Sequence, residues 1–273
     1  MDIRHLQEAK FYREASMTEP DLFSIASGQA TVFSASNPFK ETPNEDCAAL
    51  IPVNDNSCVL VVADGVGGMP AGKAASSLAV DAVRNAVKKA VTENLDLREV
   101  ILNGIEKANL DVMAQSGGSA TTLAVVEIQN NVIRPYHVGD SDILVVGQRG
   151  KIKLQTVPHS PVGYAVEAGI MDEKEAIHHE ERHIVSNVLG FKDMRIEVGS
   201  PVALSTHDTV FIGTDGVADN LFIDEIIECI RKGDLPEVAD KLLKKVQHRM
   251  NNNEGSRPCK PDDHTFIVYR NKK

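Results

Sequence analysis

An α+β fold, with helices layered on antiparallel β-sheets, is the class that the sequence predicts. The first observation is a series of short apolar runs rich in Val and Ile, each bounded by Gly, Asn or Asp, which indicates strands. The second is a pair of consecutive amphipathic helical patterns, at 71–91 and 97–114. Because further strands follow these two helices, the order differs from the strict βαβ alternation of a parallel sheet.

The elements follow a polar segment, 1–22, which we expect to be a loose arm or a short helix. Strands are predicted at 23–33, 47–53, 58–63, 121–128, 132–138, 143–146, 196–204, 209–213 and 264–270, and helices at 71–91, 97–114, 223–232 and 236–250. Residues 129–131, Gln-Asn-Asn, are typical of a tight hairpin turn. A charged stretch at 172–187 indicates a surface insertion. No linker or internal repeat divides the sequence, so we expect one domain over 23–273.

Composition narrows the classes of partner. The chain has 29 Lys and Arg against 39 Asp and Glu, a net charge of −10, with 4% aromatic residues and no Trp. Such acidity argues against binding to nucleic acid or to an anionic membrane surface. The four cysteines are widely spaced, and no segment resembles a signal peptide or a membrane span. We therefore expect buried thiols, a cytoplasmic location and a monomer.

Carboxylates recur at the ends of the apolar runs. Asp64 follows one run in VVADGVGG, Asp140 a second in YHVGDSD, and Asp215 a third in VFIGTDGVADN; Glu45, Asp46, Asp262 and Asp263 flank two others. A turn explains a single Asp-Gly pair well, but repetition at five strand boundaries favours a shared site. Carboxylates beside a buried strand are costly unless they are paired or bind a metal, and few Lys or Arg stand near these positions. Oxygen-only ligands of this kind predict Mg²⁺ or Mn²⁺.

Two other motifs point to different chemistry. Gly67, Gly72 and Lys73 match G-x-x-x-x-G-K, which would make the chain a P-loop nucleotide hydrolase, but Ala74 stands where that motif needs Ser or Thr. Residues 179–183 match the zinc-peptidase motif H-E-x-x-H. That segment is charged on all sides and lacks the apolar face of such a helix, so the zinc hypothesis is disfavoured.

Six short motifs resemble, in order, those of the metal-dependent protein phosphatases of type 2C. They are NED at 44–46, VVADGVGG at 61–68, GGSATTLAVV at 117–126, HVGDSD at 137–142, GTDGVADN at 213–220 and DDHTFIV at 262–268. The resemblance spans about 23–270, and 159–190 resembles the flap of bacterial members. It implies an α-β-β-α sandwich of two antiparallel sheets flanked by helix pairs, with the metal site in the cleft between the sheets.

The resemblance also implies roles for individual residues. Asp46, Asp64, Asp215, Asp262 and the Gly65 carbonyl would bind two Mg²⁺ or Mn²⁺ ions, Glu45 would act through a water, and Asp140 with Asp215 would hold a third ion. The implied reaction is hydrolysis of phosphoserine or phosphothreonine in a protein partner. By the same resemblance, a metal-bridged water would attack the phosphorus without formation of a covalent phosphoenzyme.

Three positions bear on how the substrate binds. The family's phosphate-binding arginine, five residues before the first aspartate, is Glu41 here. Lys40 either takes over its role or is only a neighbouring surface lysine. Val66 stands where eukaryotic members have a histidine, so the sequence names no general acid. His159 at the flap start is expected to have a capping or surface role, or to lie near the cleft. A catalytically weak or inactive phosphoprotein-binding relative is the alternative function.

Overall fold

The computed structural model describes residues 3–66, 71–115, 118–176, 178–255 and 257–271, which form two seven-stranded sheets. The first sheet has the order β1 (Arg4–His5), β3 (Asp21–Ile25), β4 (Gly28–Ala35), β14 (His264–Asn271), β13 (Thr209–Gly213), β9 (Asp142–Val146) and β10 (Ile152–Gln155). The second has the order β11 (Glu197–Val198), β8 (Val132–Val138), β7 (Leu123–Gln129), β6 (Ser57–Ala63), β5 (Cys47–Asn54) and β2 (Lys10–Arg13), with β12 (Val202–Ala203) also paired to β8. Among the described strands every pairing is antiparallel except β1 with β3, which is parallel.

Four helices cover the outer faces of the two sheets. The described residues form the α-helices α1 (Gly72–Glu93), α2 (Leu97–Met113), α3 (Pro161–Glu167), α4 (Glu173–Ala176), α5 (Asp215–Ala218), α6 (Ile223–Ile230) and α7 (Leu235–Asn251). The apolar faces of α1 and α2 pack on the second sheet, and those of α6 and α7 pack on the first. This arrangement confirms the predicted four-layer sandwich. None of these described helices is long and apolar enough to span a bilayer.

Strand alternation builds the layers between these helices. In β5, Ala48 and Leu50 pack in the cluster between the sheets, whereas Ala49 and Ile51 pack under α1 and α2. Successive side chains of a strand point to opposite faces, so one apolar strand serves two clusters. Both faces of the central strands are therefore buried, and the few polar side chains within them, such as those of Thr31 and Glu127, are buried too.

The N-terminal segment differs from the expectation of a loose arm or short helix. Residues Lys10–Arg13 form β2 on the edge of the second sheet, and Arg4–His5 pair with β3 in the first. Only Tyr12 of β2 is buried, and its hydroxyl donates a hydrogen bond to Asp21 at 2.8 Å. A mostly polar edge strand lacks the apolar run by which the inner strands are predicted.

Two shorter features test local sequence signals. Asn130 and Asn131 both have positive φ, 49° and 65°, so the predicted hairpin turn between β7 and β8 is confirmed. The strand predicted at 196–204 is instead divided into β11 and β12. Gly199, Ser200 and Pro201 lie between them, and the Gly199 N–H bonds to the carbonyl of Pro135. Gly199 and Pro201 interrupt the hydrogen bonding of the single strand that the apolar residues predicted.

Candidate metal centre

The predicted carboxylates lie at strand ends that meet at one edge of the sandwich. Asp46 precedes β5 and Asp64 follows β6, and the adjoining residues Cys47 and Ala63 pair across the ladder. Asp215 lies two residues after the end of β13, and the N–H of the intervening Thr214 donates to the Thr265 carbonyl at the start of β14. Asp140 lies in the loop between β8 and β9, and Asp262 precedes β14. The topology therefore gathers these residues, which are distant in the chain, into a single acidic cleft.

Hydroxyl groups fix the positions of two of the acidic loops. The N–H of Asp64 donates to the Thr122 hydroxyl at 3.0 Å, and the hydroxyl of Thr121 donates to the Asp64 carbonyl at 2.7 Å. The Thr122 hydroxyl also hydrogen-bonds to that of Ser141, 2.8 Å away, beside Asp140. The Ser-Ala-Thr-Thr motif is thus a bridge that sets the spacing of two acidic loops.

Burial and electrostatic repulsion act together at Asp46 and Asp64. Burial raises the pKa of Asp64 well above its usual range, and the charges of Asp46, Asp215, Asp140 and Asp262 raise it further. Burial likewise raises the pKa of Asp46, with added repulsion from other carboxylates. Asp46 is 1% exposed; Thr214 donates to its Oδ2, whereas Oδ1 has no hydrogen-bond partner in the described part of the chain. An orphaned carboxylate oxygen in a buried acidic cluster is a strong indication of a cation ligand.

Three other cleft carboxyl groups are affected in the same direction. Burial first, then the charge of Asp215, raises the pKa of Asp140 to about 8 and that of Asp262 to about 6. Burial with the charges of Asp219 and Asp215 raises the pKa of Asp142 to about 7. Asp142 and Asp219 were not among the predicted site residues, although both lie within the quoted motifs.

Lys260 pairs with one side of the cleft, which corrects the expectation that few basic residues stand near these acids. Its Nζ lies 2.6 Å from Asp215 Oδ2, 2.7 Å from Asp219 Oδ2 and 3.5 Å from Asp262 Oδ2. The charge of Lys260 also counteracts the rise in the pKa of Asp140. Its position two residues before Asp262 was the available signal in the sequence.

Lys40 also bonds to carboxylates. Its Nζ lies 2.7 Å from Asp263 Oδ2 and 3.0 Å from Glu45 Oε2. The same Asp263 accepts from the N–H groups of Glu45 and Asn37. Lys40 thus reaches the site by way of Glu45, as a partly buried cation whose charge is already balanced by two acids.

Gly65 has a steric reason to be glycine. A Cβ there would lie 2.5 Å from the backbone of Gly72 and 2.9 Å from the Glu45 carbonyl. The Gly65 N–H donates to that carbonyl at 3.2 Å, so the loop after β6 is closely packed against the first acidic motif. Such close backbone approach is consistent with a carbonyl that shares a site with Asp46 and Asp64.

The competing motifs find little support. Gly67 of the P-loop match lies outside the described residues, and Lys73 pairs with exposed Glu14 at 3.0 Å. Residues Glu180–His183 of the H-E-x-x-H match form a short 3₁₀ helix, and His179 caps it by accepting from the Glu181 N–H. The two histidines of a zinc peptidase need successive turns of an α-helix, which this segment does not form.

His159 has a structural environment beside the cleft. Its Nδ1 accepts from the Gly139 N–H at 3.0 Å and from Asn187 Nδ2 at 2.8 Å, which ties the two ends of the flap together. His137, His159 and Glu197 place potential ligand atoms within 4.8 Å of one another, the one such group among the described residues. The imidazole rings are stacked with centroids 4.3 Å apart, so their in-plane lone pairs do not converge on a common ion.

The aspartates nevertheless fit a divalent cation in their chemistry. They offer carboxylate oxygens, which Mg²⁺ and Mn²⁺ prefer, and their raised pKa values reflect repulsion that such ions relieve. Among the described residues they do not form a group as tight as the histidine cluster. Asp46, Asp64, Asp215 and Asp262 are the residues that could hold cations, with the Gly65 carbonyl beside them.

Comparison with known proteins agrees with this chemistry. Residues 35–256 match the family model described as Protein phosphatase 2C. The serine/threonine phosphatase stp of Listeria monocytogenes is 28% identical over 214 residues, 74% of this chain and 84% of that protein. The protein phosphatase PhpP of Streptococcus pneumoniae is 30% identical over 223 residues, 79% of this chain and 88% of that protein.

Solved structures share the fold. The serine/threonine phosphatase Stp1 from Staphylococcus aureus has a TM-score of 0.76 at 23% identity, covering 100% of this chain and 98% of its own. The catalytic domain of the phosphatase PstP, in complex with two manganese ions, has a TM-score of 0.69 at 21% identity, covering 89% of this chain and 98% of its own.

Proposed function

Because the chain belongs to the protein phosphatase 2C family, we propose that it hydrolyses phosphoserine and phosphothreonine in proteins with the help of divalent cations. The observation that carries the proposal is the convergence of Asp46, Asp64, Asp140, Asp215 and Asp262: burial, and then the charges of the other four carboxylates, raise the pKa of Asp64. A cleft with so much uncompensated negative charge repels a phosphate ester unless cations are present. Cations bound in the cleft would instead attract the substrate phosphate.

The chain's own residues hold and orient the reacting groups. Asp46, Asp64, Asp215 and Asp262, with the Gly65 carbonyl, would hold two cations, and Glu45 would act through a water. The Thr214 hydroxyl donates a hydrogen bond to Asp46 Oδ2 at 3.0 Å. This bond orients the carboxylate and leaves its other oxygen, Oδ1, for a cation. When bound, Mg²⁺ or Mn²⁺ supplies Lewis acidity, which lowers the pKa of water and offsets charge on a phosphoryl group.

The cysteines support hydrolysis without a covalent intermediate. A nucleophilic cysteine needs a lowered pKa, and burial instead raises the pKa of Cys47 to about 12. Burial also raises the pKa of Cys58 and of Cys229. These three thiols are therefore poor nucleophiles, and the proposed reaction uses water instead.

Finer features belong to the same proposal. We propose two Mg²⁺ or Mn²⁺ ions, a phosphorylated protein as substrate, a monomeric chain and a cytoplasmic location. Residues 23–273 would form the phosphatase domain, with a flap at 159–190. The family match over 35–256 supports the domain assignment and the substrate class, and the two manganese ions of the PstP structure support the ion count.

The test is turnover of p-nitrophenyl phosphate and of a phosphothreonine peptide, with Mn²⁺ and with a chelator. We expect Asp64→Asn to lower kcat/KM by about 10²–10³-fold, since a bound metal contributes several kcal/mol. Asp55→Asn is the matched control, because Asp55 lies exposed in the turn at the far end of the same β5–β6 hairpin. Turnover that is unchanged by the chelator, or an equal loss of kcat/KM in Asp64→Asn and Asp55→Asn, would overturn the proposed site.

The observations at Lys40 favour a second candidate, a catalytically weak or inactive phosphoprotein-binding relative. Glu41 occupies the position of the family's arginine, and Lys40 is already bonded to Glu45 and Asp263. Calorimetric titration with Mn²⁺, beside the turnover assay, separates the two functions. Cation binding without hydrolysis of either substrate would favour the binding protein.

A further inference from the structure

Lys260 is held in the cleft by its backbone as well as by its side chain. Its N–H donates to Asn220 Oδ1 at 2.9 Å, and its carbonyl accepts from Asn220 Nδ2 at 2.7 Å. Asn220 is fully buried, and its own carbonyl accepts from the buried guanidinium of Arg249 at 3.2 Å. This lysine therefore differs from a surface lysine, whose long side chain samples many rotamers.

The ammonium group occupies the position of a cation among carboxylates. Asp215 begins α5, and Asp219 follows one helical turn later, so both present oxygens on the same side. The Nζ of Lys260 lies 2.6 Å and 2.7 Å from them and 3.5 Å from Asp262. An ammonium group has three N–H donors, which is enough to serve these neighbours together.

We propose that Lys260 is a fixed cation of the cleft, which excludes a third divalent ion from the position that Asp140 and Asp215 would share. This inference rests on the proposed function, and it limits the chain to two divalent ions. An ammonium and a divalent ion repel each other and compete for Oδ2 of Asp215. Its other oxygen, Oδ1, stays available to the cation pair held with Asp46 and Asp64.

The test counts bound ions at equilibrium. Purified full-length chain is titrated with Mn²⁺ by calorimetry, and free Mn²⁺ is followed by electron paramagnetic resonance. We expect two ions for the natural chain and for Lys260→Arg, which keeps the charge, and a third, weaker ion for Lys260→Met, which removes it. Lys245→Met is the matched control: Lys245 also pairs with a carboxylate, Glu225 at 3.0 Å, but lies on α7 and makes its ion pair outside the cleft. It should bind two ions.

The outcomes separate this inference from the function on which it rests. Three ions in the natural chain overturn it, without need of any variant, and leave the metal-dependent phosphatase intact. Two ions in a folded Lys260→Met, judged by its melting transition, also overturn it, because the charge would then not be what limits the count. Absence of Mn²⁺ binding in the natural chain removes both the inference and the proposed function.

Discussion

The acidic cleft has two sides that differ in how their charge is balanced. On the strand side, Asp46 and Asp64 flank β5 and β6, and no ion pair within the described residues reaches either of them, so burial and repulsion raise both pKa values. On the lysine side, Asp215 and Asp219 each lie within 2.7 Å of Lys260. The residue type and the position at an element's end are the same, and one lysine makes the difference.

The comparison indicates where added cations act. A buried carboxylate without a partner is either protonated or neutralised by a bound ion. The strand side has to meet that requirement from solution, whereas the lysine side meets much of it from within the chain. Divalent ions should therefore change the strand side most, in activity and in stability.

The largest expected effect is on catalysis. We expect Asp46→Asn to lower Mn²⁺-dependent kcat/KM for an aryl phosphate by about 10²–10³-fold, because its unpartnered Oδ1 is the proposed cation ligand. Asp219→Asn should lower it by less than about tenfold, since Asp219 acts through Lys260. Steady-state kinetics at saturating Mn²⁺, on variants with intact melting transitions, measures both. Equal losses would show that the two sides do not differ in function.

A second effect is the pH dependence of stability in the cation-free chain. The pKa values of Asp140, Asp142 and Asp262 are raised from 3.8 to about 8, 7 and 6. A raised pKa in the folded state means that the contribution to stability is complete below the unfolded value and is lost as pH rises through the folded one. The melting temperature should therefore fall between about pH 4 and pH 8, with up to about 1.4 kcal/mol lost per pH unit for each proton.

Saturating Mn²⁺ is the control for this pH series. Bound cations favour the ionised carboxylates, so they should flatten the decline and stabilise the chain most at the alkaline end. Asp142→Asn should reduce the decline below about pH 7, because it removes a titrating group that lies 8% exposed beside the proposed cation ligands. A cation-free melting temperature that is constant or rises over this range would contradict the predicted repulsion.

A third, smaller effect differs in size between the two sides. In cation-free protein near pH 8, Asp64→Asn should raise the free energy of unfolding, because it removes a charge from a repelling cluster. Asp219→Asn should raise it by less, because Lys260 counteracts the burial and the charge of Asp215 that raise the pKa of Asp219. Urea unfolding of the two variants, each against the natural chain, measures the difference. An equal gain in both variants would remove the distinction.

The strand side could be predicted from sequence because its signals are local. An apolar run that stops at Asp64 predicts both a buried strand and a carboxylate at the end of that strand. The strand predicted at 58–63 is confirmed within β6, which sets Asp64 in the cleft. The six short motifs then identify these acidic strand ends in their order along the chain.

The lysine side depends on distant contacts that no window of sequence contains. Lys260 stands 45 residues from Asp215 and 41 from Asp219, and the buried amide of Asn220 aligns the segments. Likewise Lys40 meets Asp263 across 223 residues. The edge strand β2 was missed for the same reason, since its pairing with β5 and not its own composition makes it a strand.

The smallest expected effect is at Lys40, and its measurement tests whether Lys40 is a fixed cation of the cleft, as we propose for Lys260. Its charge is balanced by Asp263 and Glu45, so it can contribute only part of a phosphate contact. We expect Lys40→Met to raise KM for a phosphothreonine peptide by about two- to fivefold, below 1 kcal/mol, with kcat nearly unchanged. Lys40→Arg should restore the natural KM, because it keeps the charge, and Mn²⁺ stoichiometry should stay at the natural value in both variants. A change in ion count on loss of Lys40 would mean that this lysine too is a fixed cation, and the strand side would then not depend on solution cations alone.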